Sequence, residues 1–153
     1  MNWTVYKFGG SSLADSECFK KVANIINDNP KKLAIVVSAI KGTTDALLSI
    51  TNEAAKNQDI KKSLDKISKQ YNDIASDLLS KKGLKYILDI FNNDLESIRK
   101  VLKATSIVNS STDRVQGIIS GYGELWSSRL LSKFLEESSS RKNILCVDSR
   151  DIL

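Results

Sequence analysis

The chain has 153 residues, 41% of them hydrophobic and 27% charged, with 23 Lys and Arg against 18 Asp and Glu for a formal net charge of +5. That is the composition of one folded domain, or part of one, with enough apolar material for a core, and it excludes a disordered tract. The absence of histidine is the sharpest limit: Ser-His-Asp and Cys-His catalysis and His-ligated metal chemistry are closed to this chain, which leaves Lys, Asp, Glu, Ser, Thr and backbone amides.

Other classes fall on similar grounds. No apolar run reaches the ~18–20 residues of a membrane span, and Met1 to Lys7 carries no basic-then-apolar secretory pattern. Two cysteines, Cys18 and Cys146, make no disulfide framework, and a reducing cytoplasm is the expected setting. The lysines come in scattered pairs such as Lys20-Lys21 and Lys81-Lys82 beside acids. They form no basic stripe with interleaved aromatics, so no nucleic-acid partner is expected.

In chain order, Trp3 to Phe8 is rich in β-branched and aromatic residues and ends at Gly9-Gly10, which predicts a strand and a breaker. Phe19, Val22, Ala23 and Ile26 recur at helical spacing within Ala14–Asn27, and Asn29-Pro30 stops that helix. Leu33 to Val37 is a continuous apolar run, expected as a parallel strand covered on both faces. A loop at Lys41-Gly42-Thr43-Thr44 precedes a helix through Ala46, Leu47, Ile50 and Ala54, with Thr43 or Thr44 expected to cap it. Two amphipathic series follow, Ile60 to Leu78 and Leu84 to Leu102, with Gly83 expected at the C′ position between them and the pair forming an antiparallel hairpin. Ser110 to Asp113 reads as an N-terminal cap, and a long helix to Leu135 is interrupted near Gly121-Tyr122-Gly123. After a turn at Ser138–Lys142, Ile144 to Val147 is expected as a further strand. The order predicts α/β architecture, a mainly parallel sheet flanked by helices with a helical-hairpin insertion. With only about three strands, residues 1–153 are expected to be a partial domain, a first lobe of a larger protein.

Three segments could carry chemistry. Lys7-Phe8-Gly9-Gly10-Ser11-Ser12 lies where a strand meets a helix, the place where parallel α/β sheets bind ligands. Its parts suit a phosphoryl group: adjacent backbone amides, hydroxyls and one full positive charge. It is not a GxxxxGK[ST] loop. By spacing alone, a Gly-Gly turn beside a lysine is more often structural. Ser38 to Thr44 takes the matching position after the second strand, where an ordinary capping loop would look the same. Ser120-Gly121-Tyr122-Gly123-Glu124 sets one carboxylate beside two helix-weakening glycines, as a surface kink also would.

Together these segments resemble a known family. Tyr6 to Ala14, with KFGGSS at its centre, is similar to the N-terminal signature of aspartate kinases in the amino-acid-kinase (carbamate-kinase-like) family. Val36-Val37-Ser38-Ala39 with Gly42-Thr43-Thr44-Asp45 resembles their second loop, Gly123 to Ser128 their Gly-Glu helix element, and Val147 to Asp151 the strand and turn beyond. The resemblance covers essentially the whole chain. It implies transfer of the γ-phosphoryl group of ATP, with Mg2+, to the side-chain carboxylate of L-aspartate, giving 4-phospho-L-aspartate at the head of lysine, threonine, methionine and diaminopimelate synthesis. Lys7 would be catalytic; Lys7, Gly9, Gly10 and Ser11 would hold the phosphoryl group. Ser38 and Thr44 would contact aspartate, and Glu124 would pair with its α-ammonium. No metal ligand is expected in this chain, since the nucleotide and residues outside it would hold the Mg2+. A homo-oligomeric full enzyme, of which this part alone is inactive, is also implied. The alternatives are a related kinase for glutamate, acetylglutamate or a nucleoside monophosphate, and a non-catalytic module binding through the hairpin.

Overall fold

The structure, a computed structural model, describes residues 3–151; Met1, Asn2, Ile152 and Leu153, the ends of the expected 1–153 unit, lie outside the described residues. Two strands, β1 (Trp3–Phe8) and β2 (Lys32–Val37), pair in parallel from Trp3↔Lys32 to Phe8↔Val37. The Ser38 N–H donates to the Phe8 carbonyl at 3.0 Å, so the two strand ends stay fastened where their loops begin. The connection between them is α1 (Ser16–Asp28), started by the Asp15 carboxylate, which accepts the Cys18 N–H. Beyond its other end, the Arg141 guanidinium donates to the carbonyls of Ile26, Asn29 and Lys31.

After β2 the chain is helical: α2 (Thr43–Ala55), α3 (Lys61–Leu78), α4 (Lys81–Val108), α5 (Asp113–Ser120) and α6 (Tyr122–Ser138). Thr112 caps α5 by accepting the Val115 N–H, and α5 passes into α6 through Gly121. α3 and α4 are the expected hairpin, joined by Leu79-Ser80. Tyr71 of α3 stacks on Phe91 of α4 with centroids 4.2 Å apart, and Trp126 of α6 meets Phe91 edge-on at 4.7 Å. Both hairpin stripes are spent in the common core: Leu64, Ile67, Tyr71 and Ile74 from α3, and Ile87, Phe91, Leu95 and Ile98 from α4. The hairpin is therefore scaffold, and the surface that a hairpin-binding module would need is already covered.

Four expectations change. The run Leu33–Val37 is not covered on both faces. Phe8, Leu33, Ile35 and Val37 pack toward the core, while Val5, at 66% exposed, and Val36, at 52%, face outward. Ile144–Val147 forms no strand: β1 and β2 use each other's backbone groups, and no third ladder forms among the described residues. Instead Ile144 packs on the core and Asp148 turns to Arg129 of α6, leaving Leu145 exposed. The α2 cap is Gly42, with φ +81°, rather than a threonine hydroxyl. That left-handed backbone suits glycine, and Thr43 is buried instead. Gly83 is not a C′ residue but lies in the first turn of α4, where its N–H donates to the Ser80 hydroxyl.

Gly83 also faces the Glu137 carboxylate, which accepts the Ser80 N–H at 2.8 Å and occupies the place a β-carbon would take. Gly83→Ala should therefore gain less than the usual ~0.5–1 kcal/mol of helix propensity, because Glu137 must leave its bond. In a Glu137→Ala background the same change should be the more stabilising by about 0.5–1 kcal/mol, a coupling that urea midpoints of the four proteins would measure.

Candidate functional site

The carboxyl end of β1 delivers Lys7, and the chain then turns at Gly9. The Ser12 N–H donates to the Gly9 carbonyl at 2.9 Å and closes a 3-10 turn, Gly10–Leu13, whose fully buried Leu13 anchors it. The first amides of such a turn have no partner within it. The Lys7 ammonium folds back over this corner, with Nζ 3.9 Å from the position a Gly9 β-carbon would take. Lys7 and Ser11 are exposed.

The second loop packs against the first through missing side chains. A β-carbon on Gly10 would stand 3.0 Å from the Ala39 carbonyl oxygen and 3.7 Å from Lys41 Cα, so glycine lets the two backbones approach with no crowding at that oxygen. The third segment closes on Ala39 from another side. A β-carbon on Gly123 would meet Ala39 Cβ at 2.8 Å and Thr43 Cγ2 at 3.4 Å. One turn further along α6, the fully buried Ser127 hydroxyl donates to the Ser38 carbonyl at 2.7 Å and lies 3.0 Å from the Glu124 carbonyl. The three segments singled out in the sequence thus share one corner. Ser38 and Thr44 are half-buried, while Glu124 is exposed on the first turn of α6.

The scaffold supports that turn from behind. The Tyr71 hydroxyl donates to the Trp126 carbonyl at 3.4 Å; burial pushes its phenol well above the ordinary value, so it stays a neutral donor. The Gln70 side-chain amide donates to the Lys41 carbonyl at 3.4 Å, tying α3 to the second loop as well. Asp148 on the far side is held below the usual carboxylate range, chiefly by hydrogen bonds from the Arg150 side chain. Ala39, Ser127 and Tyr71 are the residues that reading the sequence for chemistry passes over. A serine pair inside the apolar stripe of α6 is the one signal that pointed to Ser127; an alanine and a core tyrosine carry none.

The donor set fits an anion. Cation, hydroxyls and turn amides meet at the first corner, and among the described residues no group of three His, Cys, Asp or Glu could hold a metal ion. Nor, among them, is any helix long and apolar enough to cross a membrane. Gly123→Ala should push the first turn of α6 off Ala39, costing roughly 1–3 kcal/mol of stability, read as a lowered denaturant midpoint. An unchanged midpoint would mean that this contact is loose.

The sequence profile described as the amino acid kinase family matches residues 2–152. The bifunctional aspartokinase/homoserine dehydrogenase 2, chloroplastic, of Arabidopsis thaliana is 31% identical over 153 residues, covering 99% of this chain and 16% of the relative. The bifunctional aspartokinase/homoserine dehydrogenase 2 of Escherichia coli (strain K12) is 31% identical over 136 residues, covering 87% of this chain and 16% of the relative. Among solved structures, E. coli aspartokinase III in complex with aspartate and ADP (R-state) superimposes with a TM-score of 0.75 at 25% identity, covering 87% of this chain and 28% of that one. The chain therefore spans about one sixth of the length of the curated relatives it matches. Its α/β fold, a parallel sheet with flanking helices, is the fold of the matching part of those aspartokinases.

Proposed function

We propose, since this chain belongs to the amino acid kinase family, that it supplies the amino-acid side and the phosphoryl cradle of an aspartate kinase, which transfers the γ-phosphoryl group of ATP to the side-chain carboxylate of L-aspartate. The observation that carries this reading is the meeting of three segments at Ala39: Gly10 against its carbonyl oxygen, Gly123 against its β-carbon, and Ser127 bonded to the neighbouring Ser38 carbonyl. The kinship to aspartokinases and the solved complex of one of them with aspartate and ADP support the choice of substrates.

The roles follow from charge and reach. Lys7 over the Gly9 corner neutralises charge on the transferring phosphoryl group, with the amides of Gly9 and Gly10 and the Ser11 hydroxyl as further donors. Ser38 and Thr44 line the side where aspartate lies, and the exposed Glu124 carboxylate pairs with its α-ammonium. No histidine base is needed, because the acceptor carboxylate is already ionised at neutral pH and has no proton to lose. The chemistry left for the protein is positioning and charge stabilisation, which this residue set can supply. Mg2+ would neutralise phosphate charge while held by the nucleotide and by residues outside this chain, since the corner offers donors rather than a carboxylate cluster. The remaining nucleotide contacts would likewise come from outside it. The working enzyme is a homo-oligomer of a longer polypeptide in a reducing compartment such as the cytoplasm, a setting that the free cysteines Cys18 and Cys146 tolerate.

In the full-length gene product, Lys7→Ala should lower kcat by about 10²–10³, the scale for removing a donor to developing oxyanion charge. An unchanged kcat would remove Lys7 from the chemistry. Glu124→Gln should raise the KM for aspartate well above any change in that for ATP, and equal shifts would contradict the ammonium pairing. The same assay run with glutamate, acetylglutamate and nucleoside monophosphates decides between aspartate and the substrates of related kinases.

A further inference from the structure

The first turn of α6 is weak in itself. Gly123 stands inside it, costing about 1 kcal/mol of helix propensity relative to alanine, and its N-cap, Gly121, offers no side chain to cap the helix. Something outside must decide where Glu124 stands. The Ser38 carbonyl holds the face turned to the second loop, through Ser127. A second set of contacts leaves this turn, crosses α4 and the C-terminal segment, and returns to it.

The Trp126 indole N–H donates to Asp94 of α4 at 3.0 Å, and Arg129 donates to the same carboxylate oxygen at 2.7 Å. The other guanidinium nitrogen of Arg129 stands 3.8 Å from Asp148. Asp148 accepts from Arg150 at 2.6 and 3.0 Å, and the Arg150 guanidinium lies 5.7 Å over the ring of Tyr122, the first residue of α6. Tyr122 packs on Trp126, with centroids 6.0 Å apart, which completes the circuit. Asp94, Arg129 and Asp148 are all largely shielded from solvent, so these contacts are screened less than surface pairs. Arg150 is the exposed link, with 56% of its side chain accessible.

We infer that Asp94 and Arg150 are positioning residues for the amine-binding carboxylate: the closed ring Trp126–Asp94–Arg129–Asp148–Arg150–Tyr122 fixes the first turn of α6 and thereby the place of Glu124. Neither residue touches substrate; each acts through the indole or phenol ring that it holds. The ring also makes residues 148–150 part of the site's support, although they contribute nothing to its lining. The inference rests on the proposed role of Glu124.

The test uses the full-length gene product with Asp94→Asn, which keeps the shape and an acceptor but removes the charge, and Arg150→Gln, which opens the ring at its exposed link without disturbing the core. Both should raise the KM for aspartate about 5–10-fold while kcat and the KM for ATP stay within about twofold, the signature of lost substrate positioning. The thermal midpoint of Arg150→Gln should stay at the wild-type value. Unchanged aspartate KM in both variants would overturn the inference while leaving the kinase reading intact. So would a joint shift of kcat and both KM values accompanied by a lowered midpoint, which marks a merely structural role. A wild-type protein that does not phosphorylate aspartate would overturn the kinase reading, and this inference with it.

Discussion

The site depends on one alanine. Ala39 is approached by two glycines, Gly10 against its carbonyl oxygen and Gly123 against its β-carbon, so closely that a β-carbon would force Ala39 to shift away from Gly123 and would crowd its carbonyl at Gly10. Close-packed interiors transmit such contacts rather than absorbing them. The first loop, the second loop and the start of α6 therefore hold their relative positions as one body, and the Ser127–Ser38 hydrogen bond adds direction to what the packing supplies. Three segments dispersed from position 7 to position 127 in the chain are brought together because small residues let their backbones approach.

The helical hairpin gives that corner something to press against. Tyr71, Phe91 and Trp126 form a stacked and edge-on aromatic cluster between α3, α4 and α6, and rings of this kind bury ~150–250 Å² each. Two of the three also carry a polar handle: the Tyr71 hydroxyl meets the Trp126 carbonyl, and the Trp126 indole meets Asp94. The apolar bodies thus supply stability while the polar tips set the rotation and height of α6. This accounts for a long helical pair in a domain whose candidate site lies at strand ends.

Much of this arrangement was legible in the residues. A β-branched and aromatic stretch marks β1, a continuous apolar run marks β2, and period-3.6 patterns mark α1 to α6, the last two as one interrupted helix, while the Gly-Gly and Gly-Tyr-Gly interruptions fall at the corner itself. Three of the four departures have one cause in common: the outcome is settled by a neighbour that local pattern does not name. Ile144–Val147 has strand composition, but strand structure needs a ladder partner, and the segment spends its contacts on α6. Leu33–Val37 is apolar at every position, yet the helices lie on one face, so Val36 stays exposed. Gly83 has the local pattern of a helix end, whereas the Glu137 carboxylate opposite makes glycine the residue that fits inside the first turn of α4. At the candidate site, the sequence marks the segments that carry Lys7, Ser38 and Glu124 but not the contacts of Ala39, Ser127 and Tyr71, since the contribution of these three is shape and support.

Phosphoryl transfer to a carboxylate, the reaction proposed, is one for which placement and charge stabilisation suffice without a histidine base. The central claim is accordingly geometric: aspartate and nucleotide are received by one corner made of three segments that move together. Amide hydrogen exchange on the full-length gene product, with and without L-aspartate plus a non-hydrolysable ATP analogue, tests it most directly. The account predicts joint slowing of exchange in residues 9–12, 38–44 and 121–127 when both ligands are present. Slowing confined to one of these stretches, or located elsewhere in residues 3–151, would contradict it.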